Sequence, residues 1–193
     1  VAQDLKPYFM TANHCGINSG NAASLVTYWN YENSWCRQPN STPSGQPGDG
    51  SLSQNNSGSY FRAASSASDF TLVELDDPPL AAADTYWAGW NNAPGDFASA
   101  VGIHHPNTDE KRISFENQAT TTTSYLGTSV PGDGSHVRIT DWDVGTTEGG
   151  SSGSPLFDPN QRVVGQLHGG YAACGNDDSD WYGRVSVSWL GGG

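Results

Sequence analysis

Gly149-Gly150-Ser151-Ser152-Gly153-Ser154-Pro155-Leu156-Phe157-Asp158 is the stretch on which the reading of this chain turns. A nucleophilic serine has to stand on a tight turn where the backbone can approach a reacting carbonyl. Glycines permit that approach, and amides beside the serine can point at a developing oxyanion. Gly-Ser-Ser-Gly-Ser alone would equally suit a flexible linker. The strand-like Pro155-Leu156-Phe157-Asp158 follows at once, which linkers seldom carry. Ser152 is therefore the candidate nucleophile, and the backbone amides of Gly150 and Ser152 are the candidate oxyanion hole.

A serine needs a base. Tyr8-Phe9-Met10-Thr11-Ala12-Asn13-His14-Cys15-Gly16 offers His14 at the end of an apolar strand. The third member must be a carboxylate that holds the imidazole tautomer and stabilises the imidazolium. Asp69-Phe70-Thr71-Leu72-Val73-Glu74-Leu75, an acid followed immediately by a hydrophobic strand, fits that role. Any one of these segments has a bland alternative: a structural histidine, an Asp capping a turn. Their order, His then Asp then Ser, is that of chymotrypsin and differs from subtilisin and the α/β-hydrolases.

Working outward, short β-branched and aromatic runs bounded by Gly, Pro, Asn or Asp predict strands. They cover residues 8–12, 24–30, 59–63, 69–75, 86–90, 98–104, 112–115, 136–142, 155–158, 162–168 and 182–188. No amphipathic helix or internal repeat stands out, so the expected class is all-β, as a sandwich or a barrel. The polar stretch from Pro39 to Ser59 (PNSTPSGQPGDGSLSQNNSGS) reads as a long loop or exposed hairpin. Asp49 within it, and Asp133 in Pro131-Gly132-Asp133-Gly134, are better explained by turn chemistry than as calcium ligands, since one acid per loop is too few.

The chain has 193 residues, enough for one domain or two small barrels sharing an interface. Its 24 glycines and 11 prolines agree with many turns. With 20 acidic against 8 basic residues the net charge is −12, which excludes nucleic acid as a natural partner, because phosphate binding needs clustered Lys and Arg. The charge serves solubility, or a field that attracts cationic substrates. No apolar run is long enough to predict a membrane span. Three cysteines (Cys15, Cys36, Cys174) in a secreted-looking chain, with no basic-then-apolar leader at Val1-Ala2-Gln3-Asp4-Leu5, suggest a piece of a longer precursor.

Beyond these local signals, the chain resembles bacterial lysyl endopeptidases, a lysine-specific branch of the chymotrypsin-like serine proteases. The matching segments are Tyr8 to Gly16, Tyr28-Trp29-Asn30-Tyr31, Ser68 to Leu75, Ile103-His104-His105-Pro106 and Lys111-Arg112-Ile113-Ser114. Later come Gly150 to Pro155, Gly165-Gln166-Leu167-His168-Gly169-Gly170 and Ser179-Asp180-Trp181-Tyr182-Gly183-Arg184-Val185. The resemblance implies two antiparallel six-stranded barrels, the first over roughly residues 1–95 and incomplete as written, the second over roughly 96–193, with the triad in the cleft between them. It implies that Asp180 pairs with a substrate lysine ammonium, whose aliphatic stem is buried while the charge is matched. It implies that His168 and Trp142 stack beside His14. The family also carries an upstream segment whose three cysteines pair with those matching Cys15, Cys36 and Cys174, and it continues past the Trp189-Leu190-Gly191-Gly192-Gly193 end. A first barrel without that segment would leave an exposed strand edge.

The expected function is thus a secreted, monomeric serine endopeptidase acting on polypeptides carrying lysine at the cleaved bond, needing no metal or organic cofactor, with no nucleic acid or membrane partner. Only Lys6 and Lys111 are lysines, against six arginines, as avoidance of self-cleavage would produce. The rivals are a glutamate-specific endopeptidase on the same fold, which a carboxylate at Asp180 opposes, and a catalytically inactive binding or adhesive homologue, which an intact triad opposes.

Overall fold

The computed structural model describes residues 6–42 and 44–190. The chain-end readings involve residues 1–5 and 191–193, which lie outside the described residues. The strands are β1 (Tyr8–Ala12), β2 (Val26–Tyr28), β3 (Asn55–Ser57), β4 (Ser59–Ser65), β5 (Phe70–Leu75), β6 (Gly89–Trp90), β7 (Ala100–His104), β8 (Arg112–Glu116), β9 (Thr121–Thr123), β10 (His136–Ile139), β11 (Pro155–Phe157), β12 (Arg162–Gly170) and β13 (Asp180–Arg184). One short helix, α1 (Val185–Trp189), follows. Alternation is visible where a sheet has one buried face: Thr71, Val73 and Leu75 of β5 point inward, as do Ala100, Gly102 and His104 of β7.

The first half forms a three-stranded sheet in the order β1-β5-β4, with β2 and β3 as a separate pair. The second forms an eight-stranded sheet in the order β8-β7-β11-β12-β13-β10-β9, with β6 beside β12. Every pairing is antiparallel except β6 with β12. The molecule is therefore nearly all-β, as expected, and among the described residues no sheet closes on itself. The core lies in the second unit, where Ala100, Val137, Ile139, Trp142, Leu156, Val164, Leu167 and Tyr182 pack together.

Two features depart from the sequence expectation. Asn55-Asn56-Ser57 has no strand-forming residue, yet pairs with β2 and ends the long polar loop. Buried Glu110 pins that loop to the β7–β8 connection, accepting from the Gly50 amide at 2.6 Å and pairing with the Arg37 side chain at 2.6 Å. Residues 185–188, expected to continue a strand, instead form α1. The edge of β12 that pairs with β13 at Gly165 is occupied by β6 from Val163 onward, since β11 holds the other edge there. A continuing strand would run into β6, so the chain turns, and Trp189 packs on Trp90 with ring centroids 4.3 Å apart. No helix among the described residues is long and apolar enough to cross a membrane.

Candidate active site

The site is assembled from two strand ends and one loop. Ala12 and Phe70 face each other across the β1–β5 pair, so the residues just past one strand and just before the other are neighbours. His14 lies in a single 3₁₀ turn (Asn13–Cys15) closed by Gly16 in the left-handed region. Asp69 enters β5 with φ 53°, a conformation that Asp tolerates better than most side chains. The Asn13 amide donates to the Asp69 carbonyl at 2.8 Å, and the His14 amide donates to Asp69 Oδ1 at 2.8 Å. Asp69 Oδ2 lies 2.7 Å from His14 Nδ1. A carboxylate only accepts, so Nδ1 carries the ring proton and Nε2 presents a lone pair. Ser152 Oγ stands 2.8 Å from that Nε2 and donates to it.

Ser152 comes from the second unit, and glycine makes the approach feasible. Gly153 has φ 82°. A Cβ there would overlap Thr11 Oγ1 and lie 2.8 Å from the Ala12 amide nitrogen at the end of β1. Gly183 of β13 leaves space for the Ser68 carbonyl in the same way. Gln166 of β12 donates its buried amide to the carbonyls of Ser68 (2.5 Å) and Asp69 (3.2 Å), tying the Asp69 backbone to the second sheet. The three predicted triad residues thus meet where the two units touch.

The loop before Ser152 is held from outside. The Gly149 carbonyl accepts from the Asn107 amide at 2.6 Å. In a trans peptide C=O and N–H oppose each other, so the Gly150 N–H points the other way. Gly150 itself has φ 95°. Among the described residues, neither the Gly150 nor the Ser152 amide donates a hydrogen bond. Sequence reading missed what lies behind Ser151. His104 is buried, with Nδ1 3.0 Å from Ser151 Oγ and Nε2 3.0 Å from Ser114 Oγ. Burial, followed by its neighbour His105, lowers its pKa to about 4, so it is a neutral strut. The Ile103-His104-His105-Pro106 segment signalled its presence without its role.

His168 is placed beside the catalytic ring as expected, with centroids 5.6 Å apart and planes 19° from parallel. Its other face is covered by Tyr125, at 3.5 Å and 3°. Trp142, expected to share this stack, is elsewhere. The chain leaves β10 at Ile139 and carries Trp142 into the core, where its ring packs edge-on to Tyr182. Tyr125 takes the position expected of Trp142. It follows β9, a run of three threonines with no aromatic pattern around it, so nothing local marked it.

Asp180 opens β13 and is buried, whereas the nearby Asp177 and Asp178 are exposed. Its Oδ2 accepts from Trp142 Nε1 at 2.8 Å and from Thr147 Oγ1 at 2.6 Å. Oδ1 receives no hydrogen bond among the described residues. Burial raises the carboxyl pKa, and the two donors oppose that rise. Trp142 thus belongs with Asp180, although not with His14. Thr147 completes the trio and was not anticipated, because a threonine in Thr146-Thr147-Glu148 carries no distinguishing pattern.

Among the described residues the one His/Cys/Asp/Glu group with metal-compatible spacing is His14, Asp69 and His168, whose ligand atoms lie within 4.8 Å of one another. The hydrogen bonds of the triad already engage His14 and Asp69. Asp133 accepts from the amide and hydroxyl of Ser135, the turn chemistry expected of it, whereas Asp49 accepts from the amide and hydroxyl of Ser34, fifteen residues away, and so joins two segments rather than closing a turn. Cys15, Cys36 and Cys174 are exposed and none is bonded to another.

A histidine between a buried carboxylate and a serine, held where two antiparallel β units meet, with His, Asp and Ser in this chain order, defines the chymotrypsin-like class of serine proteases. Solved structures agree on the fold. The chain is similar to the thermostable serine protease AL20 from an extremophilic microorganism, with TM-score 0.61, 16% identity and coverage of 98% of this chain and 84% of that one. It is similar to a Glu endopeptidase in complex with MPD, with TM-score 0.54, 15% identity and coverage of 96% and 79%. The profile of the lysyl endopeptidase C-terminal domain family matches residues 1–183, and the chain belongs to that family. A lysyl endopeptidase of Pseudomonas aeruginosa is 31% identical over 172 residues, covering 86% of this chain and 34% of that protein, so the chain spans about a third of its relative.

Proposed function

We propose that this chain is a serine endopeptidase that hydrolyses peptide bonds on the carboxyl side of lysine. The observation that carries the chemistry is the unbroken Asp69–His14–Ser152 chain of 2.7 and 2.8 Å contacts. Ser152 Oγ bonds to the scissile carbonyl carbon as its proton passes to His14 Nε2. Asp69 holds the Nδ1–H tautomer and stabilises the imidazolium. The amides of Gly150 and Ser152 receive the oxyanion. Collapse breaks the C–N bond, and His14 hands its proton to the departing amine, leaving an acyl-Ser152 ester. Water, deprotonated by His14, attacks that ester and frees the acid and the serine.

Specificity rests on Asp180. Its Oδ2 is committed to Trp142 and Thr147, which leaves Oδ1 for a substrate cation. A compact ammonium on a long apolar stem suits such a partner, and the net charge of −12 assists its approach. Family membership supports the same reading. We further propose that the protein acts outside the cell as a monomer, with its three exposed cysteines bonded to cysteines of a further segment.

The test is kcat/KM for matched peptide amides ending in Lys, Arg, Glu or Phe, on the purified protein and on Asp180→Asn. Lys should lead, and Asp180→Asn should lower it about 10²-fold, because a desolvated ammonium left without its counter-charge costs 2–5 kcal/mol. A preference for Glu would overturn the assignment of Asp180 and leave the triad standing. No turnover by folded protein, with peptide binding retained in Ser152→Ala, would identify a binding module instead.

A further inference from the structure

Behind His168 lies a hydrogen-bonded chain that the mechanism above does not use. His168 Nδ1 is 2.9 Å from His136 Nε2. His136 Nδ1 is 2.6 Å from Ser135 Oγ, and Ser135 Oγ is 2.6 Å from Asp133 Oδ1. His136 is buried, beneath both His168 and Tyr125. The direction of each bond follows from what each group can donate. Asp133 accepts only, and its pKa is lowered, first by the Ser135 hydroxyl and then by the Ser135 amide. The Ser135 proton therefore goes to Asp133, and Ser135 Oγ must accept from His136 Nδ1–H. Burial holds the His136 pKa near 4, so its ring is neutral and Nε2 offers a lone pair. His168 must then carry its proton on Nδ1.

This leaves His168 Nε2 bare, 3.8 Å from Asp69 Oδ2. With the opposite tautomer, His168 would turn an N–H toward that oxygen, where a small shift would bring it into competition with His14 Nδ1. We propose that His136, oriented by Ser135 and Asp133, is a positioning residue that fixes the Nδ1–H tautomer of His168 and so reserves Asp69 for His14. The inference rests on the serine endopeptidase reading for its catalytic consequence, while the tautomers rest on the hydrogen-bonded chain and on the buried, neutral His136 within it. Protonation of His168 at Nε2 would place a cation beside Asp69 and against His14. Burial opposes that protonation first, Asp69 favours it and His14 disfavours it. The groups facing His168 are Asp69 and His14 from the first unit, Tyr125 after β9 and His136 on β10. Those facing His136 are His168, Tyr125 and Ser135, with Asp133 beyond.

Two variants and two readouts test this. Long-range ¹H–¹⁵N spectra of the neutral histidines distinguish Nδ1–H from Nε2–H rings. Both His136 and His168 should be Nδ1–H in the native protein, and His168 should switch to Nε2–H in His136→Phe, which offers no acceptor. The kcat/KM plateau should fall roughly three- to tenfold in that variant, the scale of one charge-assisted hydrogen bond weakened by sharing. The acid limb of its pH profile should change shape, because His168 then has no acceptor for a second proton and titrates lower. His136→Gln restores a side-chain carbonyl that can accept from His168 Nδ1–H, and should recover most of the loss. An Nε2–H His168 in the native protein would sink the proposal. So would equal losses in the Phe and Gln variants with unchanged pH profiles, the signature of a purely structural residue. If the native protein cleaves nothing, the endopeptidase reading fails, while the spectra still decide the tautomers.

Discussion

Asp69→Asn is the sharpest perturbation of the site, because the structure dictates how the new amide must lie. Asp69 Oδ1 receives the His14 backbone N–H at 2.8 Å, and only an oxygen can occupy that position. The amide nitrogen is thereby forced to the Oδ2 side, 2.7 Å from His14 Nδ1. It donates there, so the imidazole must move its proton to Nε2, the atom that faces Ser152 Oγ at 2.8 Å. A ring protonated at Nε2 cannot accept the serine proton. The variant should fold normally, since Asn tolerates the φ of 53° at this position as Asp does. The same exchange in a trypsin-type triad lowers kcat about 10⁴-fold, and at 1.36 kcal/mol per tenfold that is about 5 kcal/mol of lost transition-state stabilisation. The assay is steady-state hydrolysis of a lysyl peptide amide, beside circular dichroism and thermal unfolding of both proteins. A near-native melting curve with a kcat loss of this order is expected. A loss below tenfold in a folded variant would refute the tautomer logic and remove Asp69 from its assigned role.

Gly153→Ala should lower both stability and turnover, because φ 82° disfavours any side chain and the methyl would overlap Thr11 and Ala12. Gly175→Ala, at φ 92° with nothing within 4 Å, isolates the backbone cost. That control should lose roughly 1–2 kcal/mol, or about 2–8 °C in Tm, with Gly153→Ala losing clearly more; equal losses in differential scanning calorimetry would mean that the contact is not tight. Acid should weaken the fold through His104. Its folded pKa is about 4 against an ordinary 6.5, so the unfolded chain takes up this proton first as pH falls. Stability then drops across pH 6.5 to 4 by roughly 3 kcal/mol and levels off below. Urea unfolding of His104→Gln, whose amide can serve both serine hydroxyls, should show a shallower decline over that window; identical slopes would contradict the assignment.

The sequence by itself determined the parts that are local. A strand ending in His-Cys-Gly, an acid opening a hydrophobic strand and a glycine-flanked serine each occupy a few consecutive residues, and their chemistry constrains residue type strongly. Strand positions were similarly legible, because β-branched and aromatic runs between turn residues report a pleated, half-buried surface. The burial of Asp180 was readable only through its family segment, since Asp177, Asp178 and Asp180 look alike as letters.

Tertiary structure decided whatever depends on which segments become neighbours. Tyr125 rather than Trp142 covers His168, because the second sheet carries Trp142 into the core and brings the turn after β9 over the site. Val185 to Trp189 became a helix although their residues suit a strand, because β6 had taken the edge. The hydrogen bonds of His104 to Ser114 and Ser151, and of His168 to His136, join side chains carried by different strands and loops. Such contacts are set by strand register and sheet order, which are properties of the whole chain. A pattern of a few residues can specify what a side chain is able to do, but only the packed fold specifies what it does it to.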